Sequence, residues 1–361
     1  MYKNSKLVYK DKELSIITSD IIEGYIDVPL DSHFIPLYDS NGKKLNVILV
    51  CRPFEQDNQY KIFCANRHDH IILGISSYQE FPGIPENPND GWKLPTNSSG
   101  NQYYLNMYRT MFDGWLHCFK DPTKYFDTSK PHALISESDF VRYDGHIPKE
   151  ENKKYDFVYV CTRTDWSLKN PDESSCWDWT AQNKNWELAK KCLPILCGSK
   201  ESGGMNLKGI LVGRKGCDMP EGVEKNLELT LHKDYNELMK VFDQSKFIFI
   251  PNLHDASPRI ITEAMCYNCA VLINTNIVGG WKYATEETGK LFNDETDIKE
   301  VLESFWPKVE KGEYKPRQHI IENYGPINSG KKLKKFLMDN FKEKLKYEKE
   351  FEYVHYPRWK P

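Results

Sequence analysis

The chain has 361 residues, 39% hydrophobic and 28% charged, with a formal net charge of −3. That length suits two domains of about 150 to 180 residues each, and the apolar content rules out wholesale disorder. The mildly acidic balance argues against a nucleic-acid binder working by bulk electrostatics, which would carry a basic surface.

The opening MYKNSK leads into polar sequence with no apolar signal-peptide core, and no run approaches about 18 consecutive apolar residues; neither a leader nor a membrane span is expected. The ten cysteines fall at irregular spacing in a chain too large to need staples, which reads as reduced thiols in a cytoplasmic protein. Cys266 and Cys269 alone form a C-x-x-C pair, late in an expected helix, and read as structural.

The first 150 residues form an expected N-terminal domain. Its apolar runs 45–50 (LNVILV), 71–75 (IILGI), 115–119 (WLHCF) and 132–135 (HALI) read as buried strands between long loops, the longest of them spanning 81–100. A polar stretch at 144–154 (DGHIPKEENKK) separates this domain from a second, 151–314. There the pattern is regular: strands at 155–161, 207–212, 246–251 and 270–274 alternate with helices at 185–196, ended by Pro194, 235–242 and 257–268. Continuous apolar strands alternating with amphipathic helices imply a doubly wound α/β domain with a parallel sheet. In the remaining segment, 315–361, a lysine-rich helix over 331–350 places Leu333, Phe336, Leu337, Phe341 and Leu345 on one face. That face suits packing back on the N-terminal domain; a membrane-surface helix is the alternative.

Ligands of open parallel sheets sit beyond the carboxyl ends of the strands. Past the strand ending at Pro251 the chain reads NLHDASPRIITEAM. Ser257 suits an N-cap and Pro258 the first helical position, so the free amides from Arg259 onward form an anion site suited to a diphosphate. Asp255 precedes the cap and Glu263 follows further along the helix, where carboxylates can accept paired hydrogen bonds from vicinal hydroxyls. Taken alone, both acids also suit solvent-facing positions stabilised by the helix dipole.

The wider string resembles the donor-site motif of glycosyltransferase family 4: an acid, seven residues, then a glutamate, a small residue and Met or Leu, after a strand ending in Pro. Here these are Asp255 and Glu263-Ala264-Met265, followed by AVLIN at 270–274, Gly279-Gly280 and TGKLF at 288–292, which matches the family's closing turn. The resemblance covers about residues 155–295. It implies a GT-B architecture of two facing Rossmann-like domains, with a donor and acceptor cleft between them. It further implies a retaining, metal-independent transferase that takes a hexosyl or pentosyl group from a nucleotide sugar used as co-substrate, with no other cofactor. No Asp-x-Asp stands at a strand end to hold a metal.

Carried over, Glu263 holds the donor ribose, and Asp255 approaches the donor sugar with Ala256, Ser257 and Arg259 beside it. The family's first acid is usually Glu, and the shorter Asp255 leaves room for neighbouring His254 to share its contact. Arg163 and Lys184 match the pair that grips the diphosphate, although a Trp-rich insertion at 164–183 separates them and makes Lys169 and Arg214 competitors. Leu231 and His232 resemble the loop that seats the base. In the N-terminal domain, His117 has the strand-end position of a cleft or catalytic residue, with His132, Glu137, Asp139 and the turn at 76–82 also near strand ends.

The implied partners are a nucleotide sugar and a glycan, protein or lipid acceptor; the lysine-rich helix leaves peripheral membrane contact open. Two alternatives share the fold: a nucleotide-sugar epimerase, and an inactive sugar-binding or scaffold protein. No Gly-x-Gly-x-x-Gly follows the strand at 155–161, which disfavours a dinucleotide-dependent dehydrogenase.

Overall fold

Two six-stranded sheets organise the computed structural model, which describes residues 33–52, 54, 57–76, 81–82, 108, 111–149, 153–163 and 176–357. It also gives the backbone of a small antiparallel pair, β1 (Leu7–Tyr9) and β2 (Lys12–Leu14). Most of the expected loop at 81–100 lies outside the described residues.

The N-terminal sheet contains β3 (Phe34–Asp39), β4 (Lys44–Val50), β5 (Ile71–Ile75), β6 (Gly114–Leu116) and β7 (His132–Ala133), with α1 (Asp57–Asn66) linking β4 to β5. Strands β4 to β7 run parallel, while β3 pairs antiparallel with β4. Two of the expected strands are shorter than their apolar runs. The 115–119 run stays in the sheet only to Leu116, and the 132–135 run only to Ala133.

The second sheet holds β8 (Tyr155–Val160), β9 (Gly209–Val212), β10 (Leu227–Thr230), β11 (Ser245–Ile250), β12 (Ala270–Asn274) and β13 (Gly289–Phe292). All are parallel, in the order β10-β9-β8-β11-β12-β13, so the strand order reverses between β8 and β11. The segment expected to be a closing turn at 288–292 is the edge strand β13. Around this sheet lie α2 (Trp179–Asn183), α3 (Trp186–Cys197), α4 (Tyr235–Asp243), α5 (Arg259–Cys266), α6 (Ile298–Glu310) and α7 (Pro316–Asn323). Both faces of β8 and β11 are covered: Phe157, Tyr159, Phe247 and Phe249 face the α3 and α6 side, and Val158, Ile248 and Ile250 face α4 and α5. Full burial is why the segments 157–160 and 247–250 read as unbroken apolar runs.

Three expectations change here. Pro194 does not end α3, which runs on to Cys197: a proline lacks one intrahelical hydrogen bond, and the flanking residues with their buried face hold the helix through it. The lysine-rich helix, α8, spans Gly325–Phe341 rather than 331–350. Beyond Phe341 the chain is captured by Asn46, whose amide donates to the Lys344 carbonyl and whose Oδ1 accepts from the Lys346 N–H. The α8 apolar face (Leu333, Phe336, Leu337) and Leu345 belong to the N-terminal core, and β14 (Val354–His355) pairs with β3. That face is therefore occupied by protein, which removes the basis for a membrane-surface helix. Among the described residues, no helix is long and apolar enough to cross a membrane.

The third change concerns cysteine. Cys176 and Cys217 form a disulfide, so the expectation of ten reduced thiols fails. Pairing depends on the fold bringing the loop after β9 against the insertion before α2, a proximity that spacing does not carry. Alkylation of denatured, unreduced protein should modify eight of the ten cysteines, and all ten after reduction. Ten modified without reduction would contradict the bridge.

The sheets meet through a buried polar network. Asp139, in the turn Glu137–Phe140, pairs with Lys282 at 2.7 Å and accepts from the Tyr283 hydroxyl at 2.6 Å. Ser138 contacts both the Tyr283 hydroxyl and Ser257. The Trp281 indole N–H donates to the Cys118 carbonyl, and Ala256 packs within the N-terminal aromatic core.

Candidate functional site

A cleft of about 1040 Å³ opens beyond the carboxyl ends of β8 and β11, where the strand order reverses. One wall comes from α2 and its end (Trp179, Asn183, Lys184), another from the loop after β11 and the start of α5 (Asp255, Ser257, Pro258, Arg259, Glu263). Tyr235 and Asn236 open α4 into it, and Glu137, Arg142, Asp144 and His146 close it from the segment joining the domains.

The geometry follows from backbone ties. The Asn183 carbonyl accepts from the Leu253 N–H at 3.2 Å, and the Asn185 amide reaches the Pro251 carbonyl at the same distance. The Tyr159 hydroxyl holds the Lys184 carbonyl at 3.1 Å. These bonds set the α2–α3 junction against the end of β11, and Lys184 Nζ consequently meets Asp255 Oδ2. Asn252 donates a further bond to the same oxygen at 3.0 Å, while its own Oδ1 is buried without a partner. Behind this loop, Gly279 lies so close that a Cβ there would stand 1.8 Å from the Ala256 carbonyl oxygen, and its N–H donates to the Asp255 carbonyl. Glycine is the residue this approach requires.

Glu263 is 6% exposed, and burial pushes its carboxyl up to about 7, with Arg259 the cation that opposes the rise. A carboxylate kept this dry and aimed into a polar cleft is a strong acceptor waiting for donors. Near it, the Tyr235 hydroxyl contacts His146 Nε2 at 3.2 Å; burial, followed by Arg317, lowers the histidine's pKa.

The structure thus brings together Lys184, Asp255, Ser257, Arg259 and Glu263, and it places other expected residues elsewhere. Ser257 is not the N-cap: Pro258 occupies that position, and the Ser257 hydroxyl is engaged with Ser138 across the domains. Ala256 has its side chain in the N-terminal core. Arg163 does not line the cleft; it is buried with Nη1 at 3.7 and 3.6 Å from the sulfurs of Cys176 and Cys217, because the bridge draws the insertion over it. Its competitor Arg214 is fully buried as well, bound to Asp178 and Thr180, and Lys169 lies outside the described residues.

His117 is also off the cleft lining. Its strand stops at Leu116, and the ring packs with Phe119, Phe126 and His132. Burial, then the charges of His132 and Lys282, lower its pKa to about 4, so it is neutral at physiological pH. His232 is exposed and outside the lining. Cleft residues that the sequence did not mark include Trp179, Asn183, Arg142, Asp144, His146, Tyr235 and Asn236. Of these only Trp179 left a trace, as part of a Trp-rich insertion.

Among the described residues, no group of three or more His, Cys, Asp or Glu side chains is arranged to hold a metal ion. No protein-family model matches the sequence, and no curated protein does either. Solved structures do match. TarM superposes with a TM-score of 0.55 at 14% identity over 91% of this chain, which spans only 59% of TarM's own length. A variant of S. aureus TarM was solved with fondaparinux, α-GlcNAc-glycerol and UDP. HepE from Anabaena, bound to UDP, matches at a TM-score of 0.53 with 9% identity, covering 89% of this chain and 81% of its own. WaaB, a lipopolysaccharide outer core galactosyltransferase, matches at 0.52 with 12% identity, covering 89% and 78%. Similarity this remote carries the architecture: the chain has the GT-B fold of these proteins.

Proposed function

We propose that this chain transfers a glycosyl group from a nucleoside-diphosphate sugar to an acceptor hydroxyl. The observation that carries the reading is the convergence, at the switch point of a parallel sheet, of a cation, two carboxylates and a helix N-terminus in one cleft. The α5 start and Lys184 suit a diphosphate, and Glu263 suits the ribose diol. Lys184 is neutralised here by Asp255. A diphosphate arriving at Lys184 would take over that charge and release Asp255 toward the sugar hydroxyls, while Asn252 keeps the carboxylate in place.

In the transfer the bond from the sugar's anomeric carbon to phosphate oxygen breaks, its electron pair leaving on the diphosphate. The acceptor oxygen bonds to the same carbon, and its proton passes to a phosphate oxygen. Negative charge grows on the leaving group, where fixed cations and amide dipoles stabilise the transition state most. Retention of configuration and independence of metal follow from the resemblance to family 4.

A binding-only role has one observation in its favour: of the two expected diphosphate cations only Lys184 reaches the cleft. The readings separate in two steps. Thermal shift with UDP, GDP, ADP and CMP, with and without EDTA, should show one nucleoside diphosphate stabilising the protein regardless of EDTA. At about 100 times its Kd the gain is about 2.7 kcal/mol. No shift in folded protein contradicts the transferase and favours an inactive scaffold. A shift without slow hydrolysis or transfer of the matching nucleotide sugar favours binding alone.

A further inference from the structure

We infer that Trp179 and Asn183 form a pyranose-binding face of the cleft, on which the glycosyl ring of the donor packs. This rests on the nucleotide-sugar reading above. The two residues begin and end α2, four positions apart and so on one side of the helix, and both line the cleft. Trp179 is 45% exposed, a large apolar plane left open in a lining otherwise rich in charged and polar groups. Asn183 is 8% exposed, and its Oδ1 is buried without a hydrogen-bond partner. A buried acceptor that the protein itself leaves unsatisfied is what a ligand hydroxyl would satisfy.

The support beneath this face separates it from a stray surface tryptophan. Asp178 caps α2 by accepting from the Ala181 N–H at 2.8 Å. The fully buried Arg214 grips Asp178 and Thr180, each at 2.9 Å, and donates to the Cys176 carbonyl at 3.2 Å. Cys176 is bonded covalently to Cys217, beyond the end of β9. An exposed indole is thus held on a segment fixed by a buried ion pair and a disulfide, the preorganisation a ligand-binding ring needs. The neighbouring Trp177, by contrast, faces outward under the Lys190 ammonium at 4.5 Å.

Position along the cleft selects the ring. Lys184, immediately after α2, meets Asp255, so this wall borders the sugar end of the donor path rather than the ribose end at Glu263. A pyranose offers a face of C–H bonds to the indole and equatorial hydroxyls to the amide, as carbohydrate pockets with a few placed polar groups require.

Two experiments test this. In the first, the nucleoside diphosphate giving the largest thermal shift is compared with its glucose, galactose and N-acetylglucosamine conjugates by calorimetry. Trp179→Ala should weaken the preferred conjugate roughly tenfold while the bare diphosphate stays within about twofold, and Trp179→Phe should keep most of the affinity. Asn183→Ala should give a smaller loss of the same pattern. Equal weakening of diphosphate and conjugate places the indole under the base and overturns the inference, as does no change in either. The second experiment needs no nucleotide: saturation-transfer NMR with methyl α-D-glucopyranoside and N-acetylglucosamine should show transfer to ring C–H protons in the wild type and none in Trp179→Ala. Transfer without any nucleotide binding would end the nucleotide-sugar reading and keep the pyranose face. Absence of transfer in the wild type, together with no selective loss of the conjugate, overturns the face.

Discussion

Glu263→Gln should stabilise the protein at pH 8, measured without nucleotide, and remove nucleotide binding in the same molecule. The carboxyl is buried, and its pKa is raised from 4.5 to about 7. A folded pKa above the unfolded one means the native state holds the proton more tightly. The associated stability is therefore fully present below about pH 4.5 and lost as pH rises through about 7. Above that, the native state carries a desolvated charge whose burden is on the order of 3 kcal/mol. The substituted amide has no charge to desolvate, so the gain in urea midpoint should be large at pH 8 and vanish near pH 5. Nucleotide affinity in the wild type should fall as pH drops below 7, because a protonated carboxyl accepts a ribose diol poorly. A gain of equal size at both pH values, or none, would mean that the side chain is not the dry carboxylate described here. Carrying such a group at a net loss of stability is the exchange expected at a working site.

Asp139→Ala should destabilise the chain by about 3–5 kcal/mol, the usual cost of removing one partner from a buried pair. Asp139 and Lys282 are 3% and 8% exposed, and Asp139 also accepts from the Tyr283 hydroxyl and the Ser136 N–H. The alanine would strand a buried ammonium at the contact between the two sheets and leave the Tyr283 hydroxyl with Ser138 as its remaining partner. Adding Lys282→Met should recover a large part of the loss, since an uncharged side chain of similar length needs no counter-ion. Chemical denaturation of the two single variants and the double variant measures the coupling. A single-variant cost below about 1 kcal/mol would show that water reaches the pair and that the interface opens in solution.

What was legible in the sequence follows from burial. Strands β8, β11 and β12 are covered on both faces and read as continuous apolar runs, and the path past Pro251 led to Asp255, Arg259 and Glu263. By contrast β3 (FIPLYD) is interrupted by Pro36, which sits where the pairing with β4 shifts register, and it offers no clean alternation. Strand β10 (LELT) is short, with one buried residue. Helix α6 carries its signal plainly in Ile298, Leu302, Phe305 and Val309, but it lies past the segment that resembled a known motif.

Site residues were legible where one element carries them and obscure where two elements meet. Lys184 belongs to the site because the α2–α3 junction is tied to the end of β11, and Arg163 is turned away by a disulfide between distant segments. His146 and Tyr235 come together only when the segment joining the domains crosses α4. Position at a strand end made His117 a candidate, yet the strand stops one residue short of it and the ring enters an aromatic cluster.

The most direct test of the account is a crystal structure of the protein with the nucleoside diphosphate that stabilises it. In that complex the phosphates should lie against Lys184 and the first amides of α5, the ribose hydroxyls on Glu263, and the Lys184–Asp255 contact should be open. A nucleotide bound elsewhere, or one that leaves Lys184 on Asp255 and Glu263 without a ligand contact, would contradict it.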